Sequence, residues 1–187
     1  MDSCNIMIVG VGGQGTLLTG RILGSVFINA GYDAKVSEVH GMSQRGGSVV
    51  TYVKCAGKVY SPVITQGEAD YILAFEKLEA ARYLSYLKPE GVLLVNLLEI
   101  PPANIGKGEY PAGIMEKLEQ SGAKVIAIDA ASMAKEAGNI KSVNVAMLGR
   151  LAKLTAFSYE EWIASLAEHL RGESLEMNKR AFDLGYR

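Results

Sequence analysis

Short apolar runs alternate with amphipathic stretches along the first part of the chain. Asn5–Val9 is an apolar run that ends at a glycine, which is typical of a buried strand. Between Thr16 and Ala30 the apolar side chains recur every three or four positions, which predicts a helix, and Gly31 follows where helices commonly end. Ala34–Val39 predicts a second strand. This order forms a βαβ unit, and such units build parallel sheets with helices on both faces.

The segment after the second strand interrupts this alternation. Ser48–Lys54 and Lys58–Tyr60 are both strand-like, and they flank Cys55-Ala56-Gly57. Two strand-like runs around a short glycine-containing turn predict a β-hairpin. We expect this hairpin to lie off to one side of the parallel sheet, with Asn5–Val9 at the centre.

Strands and helices alternate again beyond the predicted hairpin. Further strands are predicted at Ala69–Phe75, Val92–Val95 and Lys124–Ile128, and helices at Lys77–Leu87 and Ile114–Leu118. Lys88-Pro89-Glu90-Gly91 is typical of a turn.

From Ala130 onward the chain is expected to be helical. Ser158 and Glu161 have capping-box spacing, and Ser174–Leu184 predicts a last helix that stops at Gly185. The predicted fold class is α/β, with a doubly wound, mainly parallel, Rossmann-like sheet, a β-hairpin insertion and a helical C-terminus. Residues 1–187 are expected to form a single domain, because no linker divides them.

Composition and charge exclude several classes of function. The formal net charge is -1, so a nucleic-acid partner, which normally requires a basic surface, is not expected. No apolar run approaches the roughly 20 residues of a membrane span, and the N-terminus lacks the pattern of a signal peptide. Two cysteines, Cys4 and Cys55, are too few for the four thiolates of an iron–sulfur cluster. We therefore expect a cytoplasmic protein that binds no metal and contacts no membrane.

A glycine loop follows the first strand and opens the first helix. Its residues Gly10, Gly12, Gly13, Gln14 and Gly15 contain the Gly-x-Gly-x-x-Gly pattern. Glycines let a ligand approach the backbone, and the N-terminus of the helix offers unpaired N–H groups and a partial positive charge to an anion. The loop is therefore a candidate ligand site, and the alternative is that it only lets the helix pack closely on the sheet.

A second loop follows the second strand and is rich in polar residues. It runs from His40 to Gly47 and contains Ser43, Gln44, Arg45 and Gly46. The carboxyl ends of parallel strands meet at the edge where open α/β sheets bind ligands, so this loop should lie beside the glycine loop. Arg45 could bind a phosphate or carboxylate through two parallel hydrogen bonds. The alternative is a surface turn with a solvated arginine.

The two loops together resemble those of a known family. Gly10–Gly15, together with the segment from Glu38 to Val49, resembles the gamma-type subunit of 2-oxoacid:ferredoxin oxidoreductases. The sequence from His40 to Gly47 is most similar to that of the beta subunit of the indolepyruvate ferredoxin oxidoreductases, and the resemblance extends over nearly the whole chain.

The resemblance implies that the cofactors and the reaction steps are divided between this chain and a partner subunit. A larger partner subunit is expected to hold thiamine diphosphate, magnesium and 4Fe–4S clusters, and to pass electrons to ferredoxin. This chain is expected to bind none of these cofactors alone, to carry no catalytic residue and to be inactive alone, with coenzyme A a candidate ligand at the interface. The reaction implied is oxidative decarboxylation of a 2-oxo acid, indolepyruvate or another aryl pyruvate, to an acyl-coenzyme A.

Three alternatives stay open at this point. The chain could be the gamma subunit of a pyruvate or 2-oxoglutarate ferredoxin oxidoreductase. It could be an NAD(P)-binding Rossmann domain, which requires a ribose-binding acidic residue about 20 residues beyond the glycine loop, and Glu38 is the nearby candidate. It could also be a purely structural assembly subunit whose two loops are interface turns.

Overall fold

The computed structural model describes residues 3–41, 46–102 and 110–187. Within them the strands are β1 (Ser3–Val11), β2 (Asp33–His40), β3 (Ser48–Ala56), β4 (Ala69–Ala74), β5 (Leu87–Asn96) and β6 (Lys124–Ile128). The α-helices are α1 (Thr16–Asn29), α2 (Lys77–Tyr83), α3 (Ile114–Gln120), α4 (Ala130–Glu136), α5 (Val143–Ala152), α6 (Tyr159–His169) and α7 (Gly172–Tyr186). From Ala130 onward the described elements are all helical, as predicted.

The six strands form one sheet in the order β2-β3-β1-β4-β5-β6. β1, β4, β5 and β6 are parallel to one another, while β3 is antiparallel to both of its neighbours, β1 and β2. β2 therefore runs in the same direction as β1, and five of the six strands end at one edge. The α/β fold with a mainly parallel sheet is confirmed, with β1 in its interior.

The predicted hairpin over Ser48–Tyr60 is wrong in its second arm and in its position. β3 ends at Ala56, and Lys58–Tyr60 is not a strand. The antiparallel pair is instead β2 with β3, whose register runs from Asp33 opposite Ala56 to His40 opposite Val49. β3 lies within the sheet because its side chains are buried on both faces.

Two hydrophobic cores, one on each face of the sheet, account for that position. Val53 of β3 belongs to the core beneath α1, α5, α6 and α7, which also contains Trp162 and Phe182. Val50 of β3 belongs to the core on the opposite face, beneath α2 and α3. A strand with apolar side chains on both faces has to be covered on both faces, so it is stable only inside the sheet.

Two element boundaries that were predicted from glycine and proline residues are also wrong. The expected turn at Lys88–Gly91 lies inside β5, where the pairing with β4 shifts register between Ala69 and Tyr71. Gly185 does not end the last helix but lies within α7, against α5. There a Cβ on Gly185 would lie 1.9 Å from the carbonyl oxygen of Ala146. This glycine allows two helices to pack closely, which is a tertiary requirement and not a helix stop.

The capping box at the start of α6 is confirmed and carries a testable prediction. Glu161 N–H donates to Ser158 Oγ, and the Glu161 carboxylate accepts from Ser158 N–H at 2.7 Å. We expect Ser158→Ala to lower the free energy of unfolding by about 1 kcal/mol, measured by urea denaturation of the full chain. Ser85→Ala, on an exposed side chain outside the caps, is the matched control and should change little.

The pH dependence of that loss tests its cause. Hydrogen bonds from Ser158 N–H and from Ser158 Oγ hold the pKa of Glu161 below its ordinary value, and Ser158→Ala removes only the second of them. A lowered folded-state pKa stabilises the protein above the unfolded pKa and stops doing so as the pH falls through the folded value. The part of the Ser158→Ala cost that comes from the hydrogen bond of Ser158 Oγ to the Glu161 carboxylate should therefore disappear in acid, and a constant cost would contradict that contribution.

Candidate functional site

The two predicted loops meet at the carboxyl edge of the sheet. The glycine loop joins β1 to α1, and the second loop joins β2 to β3. Gly12 N–H donates to the carbonyl oxygen of Gly47 at 2.9 Å, which ties the two loops together. The structure therefore brings the two segments side by side, as the topology argument predicted.

The most distinctive part of the second loop lies outside the described residues. Ser43, Gln44 and Arg45 belong to it, so their predicted roles stay predictions. On either side of that stretch, His40 is exposed and its Nδ1 lies 3.1 Å from the carbonyl oxygen of Gly41. Gly46 has a φ of 71°, a left-handed conformation that favours glycine.

Gln14 holds the glycine loop in shape through its side chain. Its Oε1 accepts from Val11 N–H at 2.7 Å, and its Nε2 donates to the carbonyl oxygen of Phe75 at 3.1 Å. A Cβ on Gly10 would lie only 2.6 Å from Gln14 Oε1, so glycine makes room for this side chain. The contacts described for Gly10 and Gln14 are therefore internal to the fold, and they shape the loop.

The N-terminus of α1 is supported from the helical layer. Gly15 precedes α1 with a φ of 80°, and no side chain caps the helix there. A Cβ on Gly15 would lie 2.8 Å from Nδ2 of Asn144 on α5, which is only 3% exposed. Gly13, with a φ of 102°, is exposed and has open space where a Cβ would stand. Gly13 thus faces outward, whereas Gly15 is packed.

Glu38 lies at the end of β2 beside the first turn of α1. Its Oε2 accepts from the hydroxyl of Thr16 at 3.0 Å and from the hydroxyl of Thr51 at 3.1 Å. Together with Gly12, Gly13 and Gly15, Glu38 lines an open cavity of about 270 Å³, which we call the glycine-loop cavity. Glu38, the acidic residue that the NAD(P)-binding alternative requires, therefore lies at the glycine loop. One of its carboxylate oxygens accepts hydrogen bonds from two hydroxyls.

A second cavity, of about 320 Å³, lies on the other side of the Gly12–Gly47 contact. It is lined by Gly46 and Gly47, and by Ser48, Glu79 and Arg82. Glu79 is 3% exposed, accepts from Ser48 Oγ, and forms an ion pair with Arg82 Nε at 3.1 Å. These residues could not be recognised from the sequence, because Glu79 and Arg82 are spaced like an ordinary pair on a solvated helix face.

A further buried carboxylate supports the wall of the second cavity. Glu76 is 1% exposed, caps α2 by accepting from Glu79 N–H at 2.9 Å, and accepts from the hydroxyl of Tyr110. Burial, together with the hydrogen bond to Glu76, raises the pKa of Tyr110 well above its ordinary range. Tyr110 therefore stays a neutral donor, and the Glu76–Tyr110 pair is a fixed structural element of the site.

Neither a metal site nor a membrane-spanning helix is found among the described residues. No group of three or more His, Cys, Asp or Glu side chains in 3–41, 46–102 and 110–187 is placed to hold a metal ion. No helix in the same ranges is both long and apolar enough to cross a membrane.

Comparison with known proteins assigns the chain to a family. The family model described as pyruvate ferredoxin/flavodoxin oxidoreductase matches residues 5–187. The chain belongs to this family. It is 42% identical over 194 residues to the indolepyruvate oxidoreductase subunit IorB of Thermococcus kodakarensis, which covers 99% of this chain and 95% of that protein. It is 40% identical to the IorB subunit of Pyrococcus horikoshii, over the same shares of the two chains.

The fold agrees with a solved member of the pyruvate ferredoxin/flavodoxin oxidoreductase family. The gamma subunit of a keto/oxoacid ferredoxin oxidoreductase from Geobacter sulfurreducens PCA superposes with a TM-score of 0.74 at 25% identity, covering 98% of this chain and 96% of that one. The resemblance seen in the two loops is therefore confirmed, as is the prediction of an oxidoreductase subunit.

Proposed function

We propose that this chain is the non-thiamine-binding subunit of a 2-oxoacid:ferredoxin oxidoreductase that acts on indolepyruvate or another aryl pyruvate. The observation that carries the proposal is the pairing of the two loops at the carboxyl edge, through Gly12 and Gly47, in a chain of this family. The substrate class is supported by the names of its IorB relatives, to which it is about two-fifths identical.

The reaction is shared with a larger partner subunit. That partner holds thiamine diphosphate, magnesium and 4Fe–4S clusters, which supply the decarboxylation and the electron transfer to ferredoxin. The 2-oxo acid loses carbon dioxide, its acyl group passes to coenzyme A, and two electrons leave through the clusters. We place the complex in the cytoplasm.

The part played by this chain is to present its carboxyl edge to the partner's active site. The glycines of the first loop bring backbone N–H groups to that edge, and Arg45 adds a cation that can bind an anionic group through two hydrogen bonds. The phosphates of coenzyme A are the anions that this reaction provides at the interface. Gly10, Gln14 and Glu76 contribute indirectly, because their contacts fix the loops and the wall around the edge.

A structural assembly role is the second candidate, and a specific observation favours it. Gln14 was predicted to belong to a ligand-binding loop, but both the oxygen and the nitrogen of its side-chain amide form hydrogen bonds with the protein's own backbone. If the side chains of the second loop also bond only within the protein, the carboxyl edge is an interface that positions the partner subunit and does not contact a ligand. The two hypotheses differ in whether variants at this edge alter kinetics or only assembly.

Purification tests the subunit assignment. An affinity-tagged full chain, expressed with the genes of its source, should co-purify with a larger protein that binds thiamine diphosphate and shows iron–sulfur absorption. Expressed alone, the chain should be colourless and should not oxidise a 2-oxo acid. A single chain that carries an iron–sulfur absorption band, or turns over a 2-oxo acid unaided, would contradict the proposal.

A further inference from the structure

We infer that Cys4 and Cys55 form a reversible intrachain disulfide, a redox-sensitive cross-link between the two strands that carry the loops of the carboxyl edge. Cys4 lies near the start of β1 and Cys55 near the end of β3, so the pair is at the opposite edge of the sheet from the glycine loop. Neither cysteine takes part in the proposed function, and the inference does not depend on it.

The pairing of β1 with β3 places the two cysteines directly opposite each other. Cys4 is the partner of Cys55 in the antiparallel register. Opposed residues of antiparallel strands have Cα atoms about 4.5 or 5.5 Å apart, and a disulfide requires about 4.4–6.8 Å. Both side chains belong to the same hydrophobic core, so they project from the same face of the sheet. The bond can therefore form with little movement of either strand.

The two thiols interact, and the interaction makes them chemically unequal. A hydrogen bond between the two side chains, together with burial, raises the pKa of the Cys4 thiol. The same hydrogen bond lowers the pKa of Cys55, against the opposing effect of burial. The thiolate is the reactive form of a cysteine, so Cys55 is the nucleophile and Cys4 is the thiol that completes the bond.

Each cysteine lines an open cavity, although its side chain is almost fully buried. The exposed fraction is 2% for Cys4 and 1% for Cys55. Cys55 lines a cavity of about 360 Å³ beside Lys54, and Cys4 lines another of about 220 Å³ beside Asp70 and Lys88. Both cavities have room for a molecule of about the size of water. Hydrogen peroxide is such a molecule, and it is the oxidant that we assign to this pair.

The reaction is a two-electron oxidation of the pair by hydrogen peroxide. The Cys55 thiolate attacks one peroxide oxygen, the O–O bond breaks, and the departing hydroxide takes up the proton of the Cys55 thiol to form water. The sulfur of Cys4 then attacks the sulfenic acid, and the sulfenic hydroxyl leaves with the proton of Cys4 as a second water. Two thiols and one peroxide give one disulfide and two waters. A dithiol reductant reverses the change by thiol–disulfide exchange.

The cross-link joins the strands that lie beneath the two loops. β1 leads into the glycine loop, β3 begins directly after Gly47, and Gly12 N–H donates to the carbonyl oxygen of Gly47. A disulfide between these strands restricts the unfolded chain and leaves the native strand pairing unchanged. The oxidised chain should therefore keep its two loops paired to a higher temperature than the reduced chain.

Peroxide treatment of the full chain, followed by alkylation under denaturing conditions and peptide mass spectrometry, tests the inference. The wild type should lose both thiols together while it stays monomeric, and the peptides that contain Cys4 and Cys55 should be joined. Dithiothreitol should restore both thiols. Calorimetry should show a Tm about 10 °C higher for the oxidised chain than for the reduced chain.

Two matched variants test the order of the steps. In Cys4→Ala the sulfenic acid on Cys55 has no partner thiol, so a dione probe should trap it. In Cys55→Ala the remaining Cys4 lacks the acidified neighbour, and the probe should trap little. Neither variant should show the rise in Tm on peroxide treatment.

Each outcome decides the inference. A folded wild-type chain that keeps both thiols free, or that oxidises each one separately to a sulfinic acid, would overturn it without reference to any variant. Disulfides found only between chains on non-reducing electrophoresis would overturn it as well. An intrachain disulfide that leaves the Tm unchanged would contradict the cross-linking role, and stronger trapping on Cys4 than on Cys55 would contradict the assignment of the nucleophile.

Discussion

Alanine at Gly185 is expected to lower the free energy of unfolding by about 3 kcal/mol, at the upper end of what overpacking costs. The added Cβ would lie 1.9 Å from the carbonyl oxygen of Ala146 and 3.1 Å from the backbone nitrogen of Arg150. Both neighbours are backbone atoms, so no side-chain rotation can relieve the overlap, and α5 and α7 have to separate. Urea denaturation of the full chain measures the loss.

A matched glycine provides the control for that experiment. Gly57 follows β3, is exposed, and has nothing within 4 Å of a Cβ position. Gly57→Ala should leave the denaturation midpoint nearly unchanged. Gly149→Ala, which approaches the same crossing from α5 with a Cβ 2.1 Å from the carbonyl oxygen of Phe182, should resemble Gly185→Ala. Equal midpoints for Gly185→Ala and Gly57→Ala would contradict the close helix crossing.

Arg45→Ala is expected to raise the KM for coenzyme A of the reconstituted complex by tenfold to a hundredfold. A charge-assisted bidentate hydrogen bond contributes about 1.5–3 kcal/mol, and about 1.4 kcal/mol is a factor of ten. Gly46 and Gly47, which follow Arg45, line the second cavity, and Gly47 contacts the glycine loop. Arg45→Lys should recover only part of the loss, because lysine lacks the planar fork.

Two controls separate binding from assembly in the Arg45 experiment. Arg180→Ala removes an exposed arginine on α7 and should leave the kinetics unchanged. Size-exclusion chromatography shows whether each variant still joins the partner. An assembled Arg45→Ala complex with wild-type kinetics would contradict the ligand role, and loss of assembly alone would support the structural subunit hypothesis.

The sequence predicted the elements whose signals are local. The β1–α1–β2 unit follows from apolar periodicity and from Gly31, and the start of α6 follows from the hydrogen-bonding chemistry of Ser158 and Glu161. The place of β3 could not be predicted in the same way. Periodicity identifies a strand but not its neighbours, and only the three-dimensional structure shows Val50 and Val53 buried in opposite cores.

The site was predictable at the level of segments and not of side chains. Parallel topology predicts that the two loops lie together, and the Gly12–Gly47 hydrogen bond agrees with that prediction. The internal role of Gln14 depends on the distance to Phe75, which is 61 residues away in sequence, and no local pattern encodes it. Glu79 and Arg82 were missed because burial of a helix-face carboxylate is decided by the strand packed beside it.

Reconstituted turnover tests the central claim most directly. The purified chain and its larger thiamine-binding partner would be assayed separately and together for ferredoxin reduction, with indolepyruvate, pyruvate and 2-oxoglutarate as substrates and with coenzyme A present. We predict that neither chain alone completes the reaction, and that the complex reduces ferredoxin with a clear preference for indolepyruvate. Full activity of the partner without this chain, or a complex that oxidises none of the three 2-oxo acids, would contradict the account.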